Sequence, residues 1–410
     1  MVNLYKSMSS CFDLPEDIVV KILCRLPVKS LIRFTCVSKR WRSMIISDPK
    51  FGISHFQLAS QQGTLRRKVL LTSYPTVREP GPRPSACYDP NSKLPPRFQS
   101  LEDKYLVKNF TFPSKKNAYT EEMGSCNGLV LVGNRCFGGY ENLSIWNLST
   151  GFFRKIPSPS VRVKPIKSAD QGYMYFINCG FGHELASDDY KLVFILCALG
   201  HLVEVHIFSL RANIWKAITA PHLSRAGWDS GQGTFSNGAI HRVIHCRGQS
   251  TDPVIYAFDL AEEEFRRVPL PPVLWQNEED RNPTEITTLV HLGGYLCIWS
   301  RKRYNPDKGE VWAMTEYGVP ESWVKLFNFK VRDLPDVFAS LYSTWDLCFI
   351  TESGTMVISL RKDLFWIECH NEEKPICSGR YRLEEVHPEV PGCFFRFHAT
   401  AYDETLLSVA

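Results

Sequence analysis

The chain has 410 residues, 44% hydrophobic and 22% charged, which suits a globular chain long enough for one large core plus a small module. Its net charge of +5 sits at the front: residues 11–50 hold eight Lys/Arg against four Asp/Glu, Lys6 adds one more, and the rest balances. A neutral main body argues against a nucleic-acid groove, which needs clustered basic charge.

The opening residues MVNLYKSMSS lack a charged start followed by an apolar block, so no signal peptide is expected. The longest apolar run, Leu192–Val203, is too short for a membrane span. The fourteen Cys form no C-x-x-C pair and mostly stand alone in apolar segments such as VFILCALG and GYLCIWS. They are expected to be reduced, buried thiols acting as small hydrophobes, not a disulfide scaffold. Sequons at Asn109, Asn142 and Asn147 are read as chance matches.

After a flexible lead-in over residues 1–10, the first elements are three short helices within 11–50. Pro15 suits a first helical turn, Asp13 is placed to cap it, and Glu16 and Asp17 match the positive end of the helix dipole. Ile18, Ile22 and either Arg25 or Leu26 recur at helical spacing, with Val19 and Leu23 widening the stripe until Pro27 ends it. VKSLIRFTCV presents Leu31, Phe34 and Val37 on a second helix. Ser38 is a cap for a third, KRWRSMII, which carries Trp41 and Ile45. So small a unit cannot hide all these apolar side chains. Some should dock on a partner, or else the unit caps the body that follows.

The ordered set Leu14-Pro15, Asp17, Ile18, Ile22, Leu23, Arg25-Leu26-Pro27, Leu31, Phe34, Val37-Ser38-Lys39 and Trp41 closely resembles an F-box. That family binds the SKP-type adaptor of cullin ubiquitin ligases. The resemblance implies adaptor docking through Leu14, Pro15, Asp17, Ile18, Ile22, Leu23, Leu26, Pro27, Leu31, Phe34, Val37 and Trp41. It also implies that the surplus apolar side chains interlock with adaptor helices.

Residues 51–410 read as an all-β body. Residues 74–96 carry seven Pro, so 74–98 is expected to be a loop or insertion. Beyond it a repeat emerges: SIWNLSTGFF, HIFSLRANIW, YAFDLAEEEF, VWAMTEYGVPESW and MVISLRKDLF each read as strand, tight polar turn, strand. Their anchors Leu148, Leu210, Leu260, Met314 and Leu360 lie 62, 50, 54 and 46 residues apart. Gly-led apolar strands such as CNGLVLVG, SNGAIHRVI and LGGYLCIWS precede several of them. A period near fifty is that of a β-propeller with one four-stranded blade per repeat, here six blades, with seven possible. Residues after about 390 are expected to pair with strands from residues 52–72 and close the ring. A β-sandwich would not need so regular a period.

CNGLVLV with IWNLSTGFFRKIP, EVHIFSLRANIWKAI, GTFSNGAIHRV, VIYAFDLAEEEFRRVPLP and VWAMTEYGVPESWVKLF resemble the F-box-associated domain of plant F-box proteins, over about 120–330. Arg242 departs from the Trp that the family commonly has there, which bears on local packing. The fold implied is again a small helical unit followed by a propeller.

The chain lacks H-E-x-x-H, P-loop and G-x-S-x-G motifs. His201/His206 and His241/His245 lie on expected strands, where a spacing of four or five does not bring imidazoles together. Asp188-Asp189, 261–265 and 277–280 read as polar turns. Cys246 after His245 is weak support for a reactive thiol. No metal, cofactor or catalytic residue is therefore assigned.

The two-part layout and the resemblances together imply a non-catalytic substrate receptor of an SKP–cullin–F-box ligase, cytoplasmic and/or nuclear. The front helices would hold the adaptor and, through it, cullin. A propeller rim would hold a protein target, with Trp228, Arg301, Arg303 and Tyr304 as the residues to test. Binding of nucleic acid or membrane is not expected. The competing readings are a scaffold whose helices only cap the propeller, and a propeller enzyme or lectin acting on sugars.

Overall fold

The computed structural model describes residues 14–409 except 79–85, 89–96, 104–105, 112–119, 137–138, 160–174, 199–202, 221–225, 228–230, 247–252, 275–283, 303–304, 331–344, 351–354, 361–362, 369–375 and 383–393. Asp13 thus lies outside the described residues.

Helix α1 spans Glu16–Leu23, with Pro15 at the cap position just before the first turn and no side-chain cap bond. Pro27 stands at the N-cap of α2 (Val28–Phe34), so the chain turns within three residues. Ser38 caps α3 (Lys39–Arg42) as expected, accepting from the Trp41 N–H at 3.1 Å. A π-helical turn, Ser43–Ser47, then leads to a fourth helix, α4 (Pro49–Gln61), within the stretch assigned to the β body. Its signal was present in the sequence. Asp48 accepts from the Lys50 N–H at 3.0 Å, Pro49 occupies the first helical turn, and Phe51, His55 and Ala59 repeat on the buried face. Leu23, Val28, Leu31, Ile45 and Phe51 form one core, and Leu406 from the far end of the chain joins it.

The body is a six-bladed β-propeller. From the inside outwards, the first blade is Thr120–Cys126, Leu129–Cys136, Gly139–Asn147 and Phe153–Lys155. The second is Tyr175–Glu184, Asp189–Ala198, Glu204–Ser209 and Ile214–Thr219. Thr234–Ser236, Ala239–Cys246, Pro253–Asp259 and Phe265–Val268 build the third, Thr284–Leu292, Tyr295–Lys302, Asn305–Met314 and Trp323–Lys330 the fourth. Trp345–Ile350, Thr355–Leu360, Asp363–Glu368 and Ile376–Arg382 make the fifth. In the sixth, the last strand, Phe394–Asp403, lies inside Arg67–Arg78, which pairs outwards with Arg97–Asp103 and then Leu106–Phe110. Successive inner strands contact one another right round, and Phe394–Asp403 meets Thr120–Cys126.

Ring closure by the C-terminal strand agrees with the sequence reading, with one correction. The closing strand pairs with Arg67–Thr76, and residues 49–61 are helical instead of strand. The Pro-rich stretch also needs correction. Residues 74–78 continue a strand, 86–88 pair with it, and 97–98 begin another. On the outer side of this strand, Pro75 falls between the end of the pairing with Arg97–Asp103 at Ser73 and the start of that with Ala86–Tyr88 at Thr76, while on the inner side it keeps its register with Phe395.

Four of the five hairpins are the outer pair of a blade. The fifth, around Leu360, joins the second and third strands of its blade. That difference in phase is why the last spacing came out short. Leu148, Leu210, Leu260 and Met314 are all buried. Beside them, Trp215 donates its indole N–H to the Pro157 carbonyl at 2.7 Å and Trp323 donates to that of Pro269 at 3.0 Å, latching each blade to the one before. The Gly-led signals mark two-residue turns with positive φ, Asn127-Gly128 (52° and 77°) and Asn237-Gly238 (48° and 71°), on the rim facing the helices.

Candidate functional site

Two surfaces follow from this architecture. On the helical unit, Leu14 (58% exposed), Ile18 (37%), Ile22 (47%) and Val37 (62%) stand in the open. Ile18 and Ile22 are four residues apart on α1, so they share one face with Leu14 just ahead. Pro15, Asp17 and Pro27 are exposed as well, while Leu26, Phe34 and Trp41 are half-buried. Phe34 and Trp41 meet edge to face at 5.6 Å, and Glu16 pairs with Arg40 at 2.9 Å, tying α1 to α3. Leu23 and Leu31 differ from the other sequence-derived docking residues. They are interior, so a partner cannot touch them while the unit stays folded.

Helix α4 seats this unit on the propeller. Its Gly52 runs so close to the Leu406 carbonyl that a Cβ there would lie 3.1 Å from the oxygen. His55 Nε2 lies 2.9 Å from the Leu26 carbonyl, and burial pushes its pKa down. Phe56 packs against the core shared by the first two blades and Leu407.

The second surface is the rim away from the helices. Arg301 lies there, half-buried, near the outward end of Tyr295–Lys302 and opposite Gly309. Trp228, Arg303 and Tyr304 lie outside the described residues. Their described neighbours, Gly227 paired with His245 and Lys302 paired with Asn305, end strands on this same rim.

Elsewhere, the titratable groups read as structural. His241 accepts no solvent. Its Nε2 lies 2.6 Å from Tyr317 Oη, its Nδ1 lies 3.2 Å from the Thr234 carbonyl, and burial pulls its pKa down to about 4. Asp188 is a turn residue with φ 49°, whereas Asp189 starts a strand and is buried, accepting from Ser209 Oγ at 2.5 Å and the Arg211 N–H at 2.8 Å. Glu263, expected in a solvated turn, is held by Lys191 at 3.2 Å and by Lys216. Burial alone would raise its pKa, but the two lysines outweigh that and lower it. Cys24, Cys126 and Cys297 are free and buried, and burial pushes the Cys297 thiol up to about 12, away from reactivity.

Against known proteins, the F-box domain matches residues 11–51, and the F-box associated beta propeller domain matches 98–383. The chain belongs to the F-box-associated β-propeller family. The match reaches further on both sides than the 120–330 legible by eye. Relatives include F-box protein CPR1 of Arabidopsis thaliana, 29% identical over 341 residues, covering 77% of this chain and 72% of the relative. F-box/kelch-repeat protein At3g23880 of the same plant is 27% identical over 413 residues, covering 98% of each. Among solved structures, the fucose-specific lectin from Aleuria aurantia aligns with a TM-score of 0.35 and 10% identity over 70% of this chain and 88% of that one.

Proposed function

We propose that this F-box protein is the substrate-recognition subunit of an SKP–cullin–F-box ubiquitin ligase. The observation that carries the reading is the exposed stripe of Leu14, Ile18 and Ile22 on a helical unit whose own core is already filled. Isolated apolar residues on a surface need no explanation, but an aligned set on one helix fits a partner's groove. The adaptor would cover this stripe and bring cullin with it. The propeller would hold a protein target on the rim opposite the helices. No bond chemistry is required of this chain. It would act by raising the effective concentration of a target lysine beside charged ubiquitin. Such work belongs in the cytoplasm, the nucleus or both.

The test is co-purification of the full chain with an SKP-type adaptor, beside Ile22→Asp. A charge set into a desolvated apolar interface costs several kcal/mol, on the order of a buried unpaired charge. Binding by the wild type and its loss in the variant, with an unchanged melting profile, is the expected result. A wild type that fails to bind the adaptor would overturn the reading and leave the helices as a cap on the propeller.

A further inference from the structure

A cavity of about 940 Å³ runs down the middle of the ring, within the size range of sites that hold small organic ligands. Part of its wall is a hydrogen-bonded belt that links four blades. Arg242, on the third blade, donates Nη1 to the Gln232 carbonyl. Gln232 runs alongside the second blade's inner strand and donates Nε2 to the Glu122 carbonyl at 2.6 Å. Glu122, on the first blade, accepts at Oε1 from Nδ1 of His398 at 2.6 Å, and His398 belongs to the closing strand of the sixth.

The charges in this belt are sorted. Arg242, Gln232 and His398 line the cavity, and the His398 side chain is 44% exposed. Glu122 does not line it, and its side chain is 0% exposed. The acid stands behind the wall, where it fixes the orientation of the imidazole, and the basic groups face the space. Among the described lining residues the acidic side chain is Asp403, and Arg67 holds it at 3.0 Å near the helices. Beside the belt, Asn178 is the register partner of Gly231. It is 1% exposed, and neither its Oδ1 nor its Nδ2 has a partner among the described residues. Folded proteins rarely leave a buried amide so.

We propose that this cavity is a binding site for a small organic anion, with a carboxylate or phosphate group seated against the Arg242–Gln232–His398 wall. A guanidinium offers planar donors matched to such groups. A low-dielectric channel strengthens that attraction over what a surface arginine provides.

Calorimetric titration of the full chain with citrate and, separately, with inorganic phosphate at low salt tests this, with sorbitol as a neutral control. Saturable binding of either anion is expected. Citrate alone would assign a carboxylate, phosphate alone a phosphoryl group. Arg242→Gln should weaken that binding about tenfold or more, roughly the loss of one hydrogen bond to a charged group. Thr288→Phe, which fills the cavity from the fourth blade without touching the belt, should weaken it too and serves if Arg242→Gln does not fold. The proposal falls if neither anion binds saturably, if sorbitol binds as well, or if affinity is unchanged in whichever variant keeps the wild-type melting temperature. Adaptor co-purification reads the helical stripe instead, so failure of one result leaves the other standing.

Discussion

His241 shows how a single residue sets a pH limit on the fold. Burial, joined by the nearby Arg266 guanidinium, holds its folded pKa near 4 against 6.5 for an unhindered imidazole. Between those values the unfolded chain takes up a proton that the folded chain refuses, so this contribution to stability is complete above about pH 6.5 and is lost as pH falls towards 4. His55 and His291 are shifted in the same direction by burial and add to the slope. The unfolding free energy from urea titrations should therefore drop across this window, by on the order of 3 kcal/mol from His241 alone. His241→Gln should flatten the slope; an equally steep slope in that variant would remove His241 as its origin. Gly128 makes a different kind of demand. With φ at 77° and the Asp403 carbonyl 2.5 Å from where a Cβ would stand, it excludes side chains both by backbone conformation and by space. Gly128→Ala should lower stability by about 1–3 kcal/mol, read as a fall in melting temperature.

Within the helical unit, the same apolar pattern splits into two jobs. Leu31 is fully buried among Leu23, Val28, Ile45 and Phe51, so Leu31→Ala should destabilise the unit by about 2–5 kcal/mol. Ile22 faces outwards on α1, so its replacement by Asp should shift stability by no more than about 0.5 kcal/mol while removing adaptor binding. Measuring both variants by thermal melting and by adaptor capture separates core from docking face. Loss of stability in both would mean that α1 is held by contacts the exposed stripe makes within this chain.

At the scale of the whole molecule, stability rests on how the ring closes. Phe394–Asp403 lies between Arg67–Arg78 and the first blade, so the propeller's first and last strands share one sheet. The closure is secured beyond the strand. Lys68 pairs with Glu404, both side chains 9% exposed, and Asn147 Nδ2 donates to the Thr405 carbonyl at 3.1 Å and to the Leu407 carbonyl at 2.8 Å. Leu406 then enters the helical core. Glu404→Ala leaves a buried ammonium without this carboxylate and should cost about 3–5 kcal/mol. Because the tail serves both units, denaturation of that variant should lower the melting of propeller and helices together. If the helices melt at the wild-type temperature, the two units are not coupled through the tail.

The helical unit and the repeat were legible in the sequence for local reasons. Ser38 caps α3 and Asn127-Gly128 makes its turn through bonds and dihedrals that span a few residues. A period near fifty gives blades because each blade is nearly a local object, each strand pairing with its neighbour in the chain. Tertiary structure alone decided the rest. Pro75 sits in a strand, opposite Phe395 of the closing strand, where the two outer partners leave a gap. Leu23 and Leu31 belong inside and Ile18 and Ile22 outside only once α4 and Leu406 have covered one side of the unit. In the belt from Arg242 to His398, the links from Gln232 to Glu122 and from Glu122 to His398 join residues more than a hundred positions apart, and no spacing along the chain encodes them. Short-range hydrogen bonding and side-chain periodicity are written residue by residue. Burial and charge placement depend on which distant surfaces meet, and here that is settled when the last strand pairs with the first.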